Sequence, residues 1–421
     1  MYYYKKNNSV IFSSSYIYIE TIVSRLNYQK ITSEDIQDDD KLFYLFENDP
    51  AKFRSSYTVS SPSSLLQKKE DTGLLCFENE NYSNLDESIL RAMSQHRITA
   101  VNTAVPSWEE RIHSGVFDII SKKNLRVNII GLGDVGGTLL LGLKLRGFDT
   151  VSSIGIYDKN IMKLKRYEHE IQQIYSDGIE MPDVSIIEES QIFDCDVFVF
   201  AVAFAVPPVG NEIQDVRMMQ LEKNSQIINY YAKAARYQNF KGLFAVMSDP
   251  VDQLCQHAFL ASNSDENGNM DYKGLSSEQI KGFGLGVMNA RAVYYSLKYP
   301  EMSLYKEEGR AYGPHGNGLV IANSLKNYNE RLSQRLTDLT VNANLEVRAT
   351  GFKPYMAPAI SSGCLSMLAC FNGQWHYSSS FIGGKYFGAR NRFTKSGLEL
   401  EKNHLPKALL ETIAHTYNNI L

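Results

Sequence analysis

The sequence lacks the features that mark membrane-spanning, secreted and zinc-cluster proteins. Its most apolar run, Val197 to Val206, is too short to cross a bilayer as a helix, and the N-terminal stretch has no apolar core of the kind found in secretory signals. The 5 cysteines are scattered and none forms a C-x-x-C pair. We therefore expect a cytoplasmic protein with reduced thiols and no bound metal.

An excess of charge of either sign is also absent. The 43 basic and 47 acidic residues leave a net charge of -4, which gives no electrostatic reason to expect nucleic acid or an anionic membrane as a partner. Of the 421 residues, 43% are hydrophobic and 21% are charged. This composition is typical of a soluble globular protein, and the length suffices for two or three domains.

Residues 1–122 differ in composition from the rest of the chain and are rich in Ser, Asn, Asp and Tyr. A short strand is predicted at Leu74–Phe77, helices are predicted at Leu85–Ser94 and Ser107–Lys122, and a loop is predicted over Ser55–Asp71. We expect an extra N-terminal domain here, and its sequence indicates no role.

From residue 123 to residue 297, predicted strands alternate with predicted helices. The first strand begins at Leu125, and the fourth, Asp196–Val202, is apolar on both faces, as a central parallel strand should be. A sixth strand is predicted at Gly282–Val287. The alternation predicts an α/β fold with a doubly wound parallel sheet of the Rossmann type.

The alternation ends after Leu297. Residues 298–421 combine two predicted helices, Leu325–Val347 and Ala357–Cys370, with aromatic and glycine-containing strand pairs over Trp375–Phe393. We expect a mixed α+β C-terminal domain that packs on the first and carries the substrate site.

A glycine-rich loop, Gly131-Leu132-Gly133-Asp134-Val135-Gly136, joins the first of these strands to a helix. The first glycine permits a tight turn, the second lets main-chain amides approach a diphosphate, and the third lets helix and strand pack closely. The second strand ends at Asp158, whose carboxylate can bind both ribose hydroxyls and would repel a 2′-phosphate. The pattern predicts an NAD site, and the alternative is an ordinary strand–turn–helix with a surface aspartate.

Four further segments carry a resemblance to the lactate/malate dehydrogenase family over Leu125 to Leu421. In chain order they are Ala203-Phe204-Ala205-Val206-Pro207, Met247-Ser248-Asp249-Pro250-Val251-Asp252, Gly284-Leu285-Gly286-Val287-Met288-Asn289-Ala290-Arg291 and Tyr312-Gly313-Pro314-His315-Gly316-Asn317. They resemble the family's mobile loop, its Asn-Pro-x-Asp turn, the segment with the substrate-binding Arg and the Gly-x-His-Gly segment with the catalytic His. The resemblance implies NAD-dependent hydride transfer between a 2-hydroxy acid and a 2-keto acid, with a small-molecule substrate, in a homo-oligomer (a dimer or tetramer).

Three residues are candidates for this chemistry. His315, flanked by glycines, would be the acid and base, because a histidine titrates near neutrality. Arg291 would grip the substrate carboxylate, and Arg217 would polarise the carbonyl as negative charge develops on its oxygen. The structural alternatives are a turn histidine and two surface arginines. The candidate cofactor residues are Gly131, Gly133, Asp134, Val135, Gly136, Asp158 and Ala203.

The chain departs from the family pattern where the histidine should have its acidic partner. The family places an Asp three residues before the anchoring Arg. That position is Met288 here, and the adjacent Asn289 could hold the ring by accepting one hydrogen bond. The family's Asn before Pro is Asp249. Its carboxylate could repel a keto acid, bind an amine or hydroxyl of another substrate, become the partner of His315, or cap the following helix.

The predicted mobile loop is also altered. The stretch from Ala203 to Val216 contains no arginine. The malate type carries an arginine there for a second carboxylate, so malate specificity is disfavoured. Lys353 and Tyr355 fall where the family often has a further substrate contact.

Two other functions are open on the same scaffold. A chain without the usual aspartate could bind NAD as a sensor or assembly partner, although the retained histidine and arginines argue against it. An NAD-dependent glycosidase would need a metal held by a cysteine and a histidine. Cys255 and His257 stand near a strand end, but no convincing ligand set surrounds them in the sequence.

Overall fold

The computed structural model describes residues 1–65, 67–77, 85–106, 108–115, 117–203 and 216–420, except for the side chains of residues 114 and 216–219. The described chain contains a six-stranded sheet in its N-terminal part, a nine-stranded sheet in the remainder and one two-stranded hairpin. Among the described helices, none is long and apolar enough to cross a membrane.

The N-terminal sheet has the strand order β3-β1-β2-β4-β6-β5, and β2, β4 and β6 run parallel. Its strands are β1 Tyr2–Lys6, β2 Ser9–Ser13, β3 Gln29–Ile31, β4 Lys41–Phe46, β5 Ser56–Val59 and β6 Ile98–Asn102. Its helices are α1 Tyr16–Leu26, α2 Glu87–Ser94 and α3 Trp108–Ser114. Apolar side chains of α1 and α3 pack on one face and those of α2 on the other, so the sheet is buried on both sides.

Two local predictions for this part are wrong. The predicted strand Leu74–Phe77 is a 3-10 turn over Thr72–Leu75, and only Cys76 forms an isolated bridge, to Asn403. The predicted loop over Ser55–Asp71 contains β5, whose four residues are all buried. The hydroxyls of this strand are satisfied by distant partners, such as Glu278 for Ser56 at 2.6 Å, and local composition does not reveal such partners.

The parallel half of the large sheet consists of β7 Leu125–Ile130, β8 Val151–Tyr157, β9 Asp183–Ile186, β10 Val197–Phe200, β11 Leu243–Val246 and β12 Ile280–Gly282. Its helices are α4 Asp134–Arg146, α5 Ile161–Gln172, α6 Val216–Tyr237, α7 Val251–Ser262 and α8 Leu285–Lys298. The order of these six strands in the sheet is β9-β8-β7-β10-β11-β12. The chain therefore winds outward from β7 in one direction and from β10 in the other, which confirms the predicted doubly wound sheet.

This winding fixes where a ligand can bind. The connections that leave β7 and β10 turn to opposite sides, so a crevice opens at the carboxyl ends of these two strands. One boundary differs from the prediction, because β12 ends at Gly282 and α8 begins at Leu285. Residues predicted as a sixth strand thus open the helix that carries Arg291.

The C-terminal part extends the same sheet. It comprises α9 Tyr305–Glu308, the hairpin β13 Arg310–Tyr312 and β14 Val320–Ala322, α10 Glu330–Ala349, a π-helical segment Pro358–Leu365, α11 Ser366–Phe371, β15 His376–Ile382, β16 Lys385–Thr394, β17 Gly397–Leu400 and α12 Lys407–Asn419. Gly282 of β12 pairs antiparallel with Ser379 of β15, and β16 and β17 follow outward. The mixed α+β character is confirmed, while the boundaries at residues 122 and 297 stay predictions.

The N-terminal part is fastened to the large sheet by buried polar contacts. Ser56 Oγ and Arg111 Nη1 both donate hydrogen bonds to the carboxylate of Glu278, just before β12. The side chains of Arg111 and Glu278 are 10% and 1% exposed. A buried ion pair of this kind is costly to break from one side, because the remaining charge loses its partner.

Candidate functional site

The glycine-rich loop lies at the crevice and is shaped to leave room for a ligand. Gly131 has a φ of +88°, and a Cβ there would lie 2.8 Å from the main-chain oxygen of Ala201. A Cβ on Gly136 would lie 2.0 Å from the oxygen of Gly131, so helix and turn pack without side chains between them. A Cβ on Gly133, the N-cap of α4, would meet no atom of the described residues within 4 Å. The helix N-terminus is thus open to an anion such as a diphosphate.

Asp158 follows β8 and is held by three donors. Its Oδ2 accepts hydrogen bonds from the Leu132 amide and Lys163 Nζ, both at 2.9 Å, and its Oδ1 accepts one from the Asn160 amide at 2.9 Å. Burial alone would raise its pKa, but these hydrogen bonds and the Lys163 charge lower the pKa below its ordinary value. Asp158 is therefore an ionised acceptor beside the loop. Sequence reasoning missed Lys163, whose place in the first turn of α5 was the available signal.

The other predicted cofactor residues surround the same loop. Asp134 opens α4 and forms an ion pair with Lys353, at 3.4 Å between Nζ and Oδ2. Val135 is half-buried and packs against the sheet core, and Ala203 is exposed beyond the end of β10. Residues 204–215, the remainder of the predicted mobile loop, lie outside the described residues.

His315 lies in the turn after β13, and its two ring nitrogens differ in environment. Nδ1 is 3.1 Å from Asp249 Oδ1, within hydrogen-bond distance. Nε2 is buried and has no hydrogen-bond partner in the described part of the chain. The ring sits against the start of α8, where a Cβ on Gly284 would lie 2.9 Å from His315 Cβ. One nitrogen is thus within hydrogen-bond distance of a carboxylate, and the other has an unused hydrogen-bonding position among the described residues.

Asp249 follows β11 and connects several elements of the site. Its peptide bond to Pro250 is cis, and its main-chain oxygen accepts a hydrogen bond from Asn224 Nδ2 of α6 at 2.9 Å. Its carboxylate contacts His315 and also favours the charged form of Arg291. Of the four roles left open by the sequence, partnership with His315 agrees with the 3.1 Å contact between the two side chains.

Arg291 lies in the second turn of α8 and is half-buried. Burial lowers its pKa, against the opposing effect of Asp249. The one hydrogen bond that its side chain makes with described residues is weak, from Nη1 to Met288 Sδ at 3.7 Å. A half-buried guanidinium whose other donors meet no acceptor among the described residues can bind a carboxylate in a bidentate manner.

Met288 and Asn289, which stand where the family has its aspartate, make other contacts. Met288 is 2% exposed and packs in an apolar cluster of the C-terminal part. Asn289 Oδ1 accepts a hydrogen bond from Tyr305 Oη at 2.8 Å, and no hydrogen bond joins Asn289 to His315 among the described residues. A role of Asn289 in orienting the ring therefore has no contact to support it.

A second carboxylate near His315 was not singled out by sequence reasoning. Asp252, in the first turn of α7, is 3% exposed and accepts hydrogen bonds from Ser379 Oγ and from the main chain of His315. Burial raises its pKa to about 6. The available signal was its place three residues after Asp249, at the start of a helix. It fixes the backbone that carries the histidine.

The remaining candidate residues take no part in these contacts, or their side chains are outside the part of the chain that the structure describes. Arg217 is in the first turn of α6, and its side chain lies outside the described residues. Tyr355 is half-buried in the turn before the π-helical segment. Burial raises the pKa of Cys255 and lowers that of His257. Among the described residues, no group of three or more His, Cys, Asp or Glu side chains is placed to hold a metal ion.

Comparisons with known proteins point to one group of enzymes, although no family model matches the chain. The chain is 26% identical over 198 residues to the L-lactate dehydrogenase of Mycoplasma pneumoniae and 22% identical over 193 residues to L-lactate dehydrogenase 2 of Staphylococcus aureus. These matches cover 47% and 46% of this chain, and 58% and 54% of the relatives. The chain thus spans only a little over half the length of the curated relatives it matches.

Solved structures agree with this result at the level of the fold. A lactate dehydrogenase from a Medee basin deep-sea metagenome library superposes with a TM-score of 0.58 at 17% identity, covering 70% of this chain and 96% of that one. The minor L-lactate dehydrogenase of Enterococcus mundtii gives 0.57 at 16% identity with the same coverage. The resemblance predicted from the motifs is confirmed: the chain is a divergent relative of lactate dehydrogenases, similar to them in sequence over nearly half of its length and in fold over about 70% of it.

Proposed function

We propose that the chain is an NAD-dependent oxidoreductase of the lactate/malate dehydrogenase type, which transfers hydride between NAD(H) and a 2-hydroxy or 2-keto acid. The observation that carries the proposal is the environment of His315. Its Nδ1 contacts Asp249, and its Nε2 is buried without a described partner. The contact lies near the carboxyl ends of the parallel strands, where a doubly wound sheet binds its ligands.

His315 would move the proton. With Nδ1 donating to Asp249, the ring holds or releases a proton at Nε2, which would donate it to the keto oxygen during reduction. The Asp249 carboxylate would orient the ring through Nδ1, which is the orienting role that the family gives to the aspartate missing at position 288. The acidic partner would thus come from the turn after β11 instead of from α8.

Arg291 would anchor the substrate. Its half-buried guanidinium has donors available for a carboxylate, and partial burial strengthens such an ion pair. Asp249 lies near the same cation, so a substrate carboxylate would share Arg291 with it. We infer that this competition weakens substrate binding relative to a site that has asparagine at this position.

The loop and Asp158 fit a dinucleotide. No described atom fills the space beside Gly133, and the amides of the first turn of α4 can bind a diphosphate there. Asp158 can accept hydrogen bonds from ribose hydroxyls. NAD(H) bound here would supply or accept the hydride.

The cellular location, the assembly and the partners that we propose for the enzyme rest on the same resemblance. We infer a cytoplasmic homo-oligomer, a dimer or tetramer, that acts on a small molecule and needs neither nucleic acid nor membrane. The division into residues 1–122, 123–297 and 298–421 belongs to this proposal, with the N-terminal part as an addition to the catalytic unit.

The direct experiment is NADH oxidation over a panel of 2-keto acids. We expect turnover of at least one of them, and a loss of about a hundredfold or more in kcat for His315→Asn. Asp249→Asn should lower kcat by about tenfold or more, because the charged ring loses its partner. The matched control is Asp177→Asn, since Asp177 is an exposed aspartate that accepts one hydrogen bond, from Tyr175 Oη at 2.8 Å.

A second candidate function is favoured by one observation. The position of the family's aspartate is occupied by the buried, neutral Met288. The chain could therefore bind NAD(H) as a sensor or assembly protein with impaired catalysis. Tight NADH binding without turnover of any keto acid would favour this candidate and contradict the first.

A further inference from the structure

We propose that Lys353 binds the diphosphate of the dinucleotide, and this inference rests on the cofactor part of the proposed function. Lys353 lies far along the chain from the glycine-rich loop, in the turn between α10 and the π-helical segment. Its ammonium group is nevertheless 3.4 Å from the carboxylate of Asp134, the first residue of α4. The lysine would thus bring a positive charge from the C-terminal part of the chain to the N-terminus of α4.

A positive charge at this place would offset an unfavourable one. A diphosphate carries two negative charges, and Asp134 adds a third at the helix N-terminus where the diphosphate would bind. An ammonium group beside Asp134 would offset the repulsion between this carboxylate and an anionic ligand.

The contact with Asp134 places the Lys353 ammonium group close to the N-terminus of α4. Among the described ion pairs, its contact with Asp134 is the one that reaches the loop. The two side chains are 56% and 51% exposed, so the ammonium group can turn from the carboxylate toward a ligand without breaking packed structure. The pair is therefore a weak surface contact that can be exchanged at little cost.

The segment that carries Lys353 is anchored to α4 by close packing. A Cβ on Gly142 of α4 would lie 2.9 Å from Cys364 Cβ and 3.0 Å from Ile360 Cδ1, both in the π-helical segment. A Cβ on Gly363 would lie 3.1 Å from Leu139 Cδ1. The π-helical segment that follows Lys353 and α4 thus form one packed unit.

The test measures binding of NADH, ADP-ribose and adenosine by titration calorimetry to the wild type and to variants. For Lys353→Met we expect the dissociation constants of NADH and ADP-ribose to rise roughly five- to tenfold, because one charge-assisted contact to phosphate is lost. Adenosine, which has no phosphate, should bind equally well to both proteins. Lys353→Arg should restore most of the affinity, and Asp134→Asn should tighten NADH binding.

The control variant is Lys407→Met. Lys407 forms a similarly loose ion pair, 3.7 Å from Glu411, on the C-terminal helix. If the wild type binds NADH but Lys353→Met leaves its dissociation constant unchanged, or weakens adenosine equally, this inference is overturned while the cofactor site stands. If the wild type binds neither NADH nor ADP-ribose, the proposed function and this inference both fail. A change confined to the KM of the keto acid would make Lys353 a substrate contact instead.

Discussion

Replacing Lys281, a fully buried lysine in the middle of β12, gives a quantitative test of how the large sheet is packed. Its ammonium group donates hydrogen bonds to Ser380 Oγ at 2.8 Å and Asn391 Oδ1 at 2.6 Å, and it lies 5.1 Å from the centre of the Phe393 ring. None of these contacts is with a carboxylate. Burial therefore lowers the pKa of Lys281 from 10.5 to about 8.

The sign of the effect follows from proton linkage. Between pH 8 and 10.5 the unfolded chain keeps a proton on Lys281 that the folded chain has released, so this residue makes the free energy of unfolding rise with pH. Below pH 8 both states hold the proton, and the cost of burying the charge is fully present. The gap between the two pKa values corresponds to about 3 kcal/mol, of which about 2 kcal/mol is regained between pH 8 and roughly 9.5.

The assay is urea unfolding of the wild type and Lys281→Met over this pH range. Buried thiols such as Cys370, whose pKa is raised, oppose the rise in both proteins, so the informative quantity is the difference between them. We expect the wild type to gain about 2 kcal/mol relative to Lys281→Met from pH 8 to roughly 9.5. Lys407→Met, which replaces an exposed lysine, should show no such trend. A pH-independent difference for Lys281→Met would refute the reasoning.

Four further predictions concern the loop, a buried histidine and the junction with the N-terminal part. Gly136→Ala should destabilise the fold by about 2 kcal/mol or more, since the new Cβ meets a main-chain oxygen at 2.0 Å. Gly133→Ala should leave urea unfolding unchanged and weaken NADH binding in calorimetry. Equal NADH affinity would contradict the proposal that the diphosphate lies beside Gly133. Burial lowers the pKa of His376 from 6.5 to about 3, so stability should fall as pH drops below 6.5; the loss should be smaller in His376→Gln. Arg111→Met should cost about 3 kcal/mol in urea unfolding, and Glu278→Gln added to it should restore part of that loss.

The parallel sheet could be predicted from sequence because its strands are short apolar runs with strong boundaries. The four residues of β10, Val197–Phe200, are all buried, which matches their apolar character on both faces. The glycine-rich loop was predictable for a related reason. Gly131, with its left-handed φ, and Gly136, with its close approach to the main chain, answer local steric demands, and a local demand leaves a local trace in the sequence.

Long-range pairing explains what the sequence left undetermined. β5 lies in a serine-rich stretch that reads as a loop, and its polar side chains are buried because partners distant in the chain satisfy them; Thr58, for example, bonds to Thr394 at 2.7 Å. The site shows the same limit. Asp249 and His315 lie 66 residues apart, and four roles for the aspartate were compatible with its sequence. The 3.1 Å contact between the two side chains is a relation that the separation in sequence conceals.

The proposed hydride transfer can be tested most directly by following the hydrogen atom itself. NADH deuterated at the transferable position of the nicotinamide would be incubated with the panel of 2-keto acids, and the product would be analysed by mass spectrometry. We predict a 2-hydroxy acid that carries the deuterium for the wild type, and none for His315→Asn despite comparable NADH binding. If the wild type binds NADH tightly but transfers no deuterium to any keto acid, the dehydrogenase proposal is contradicted.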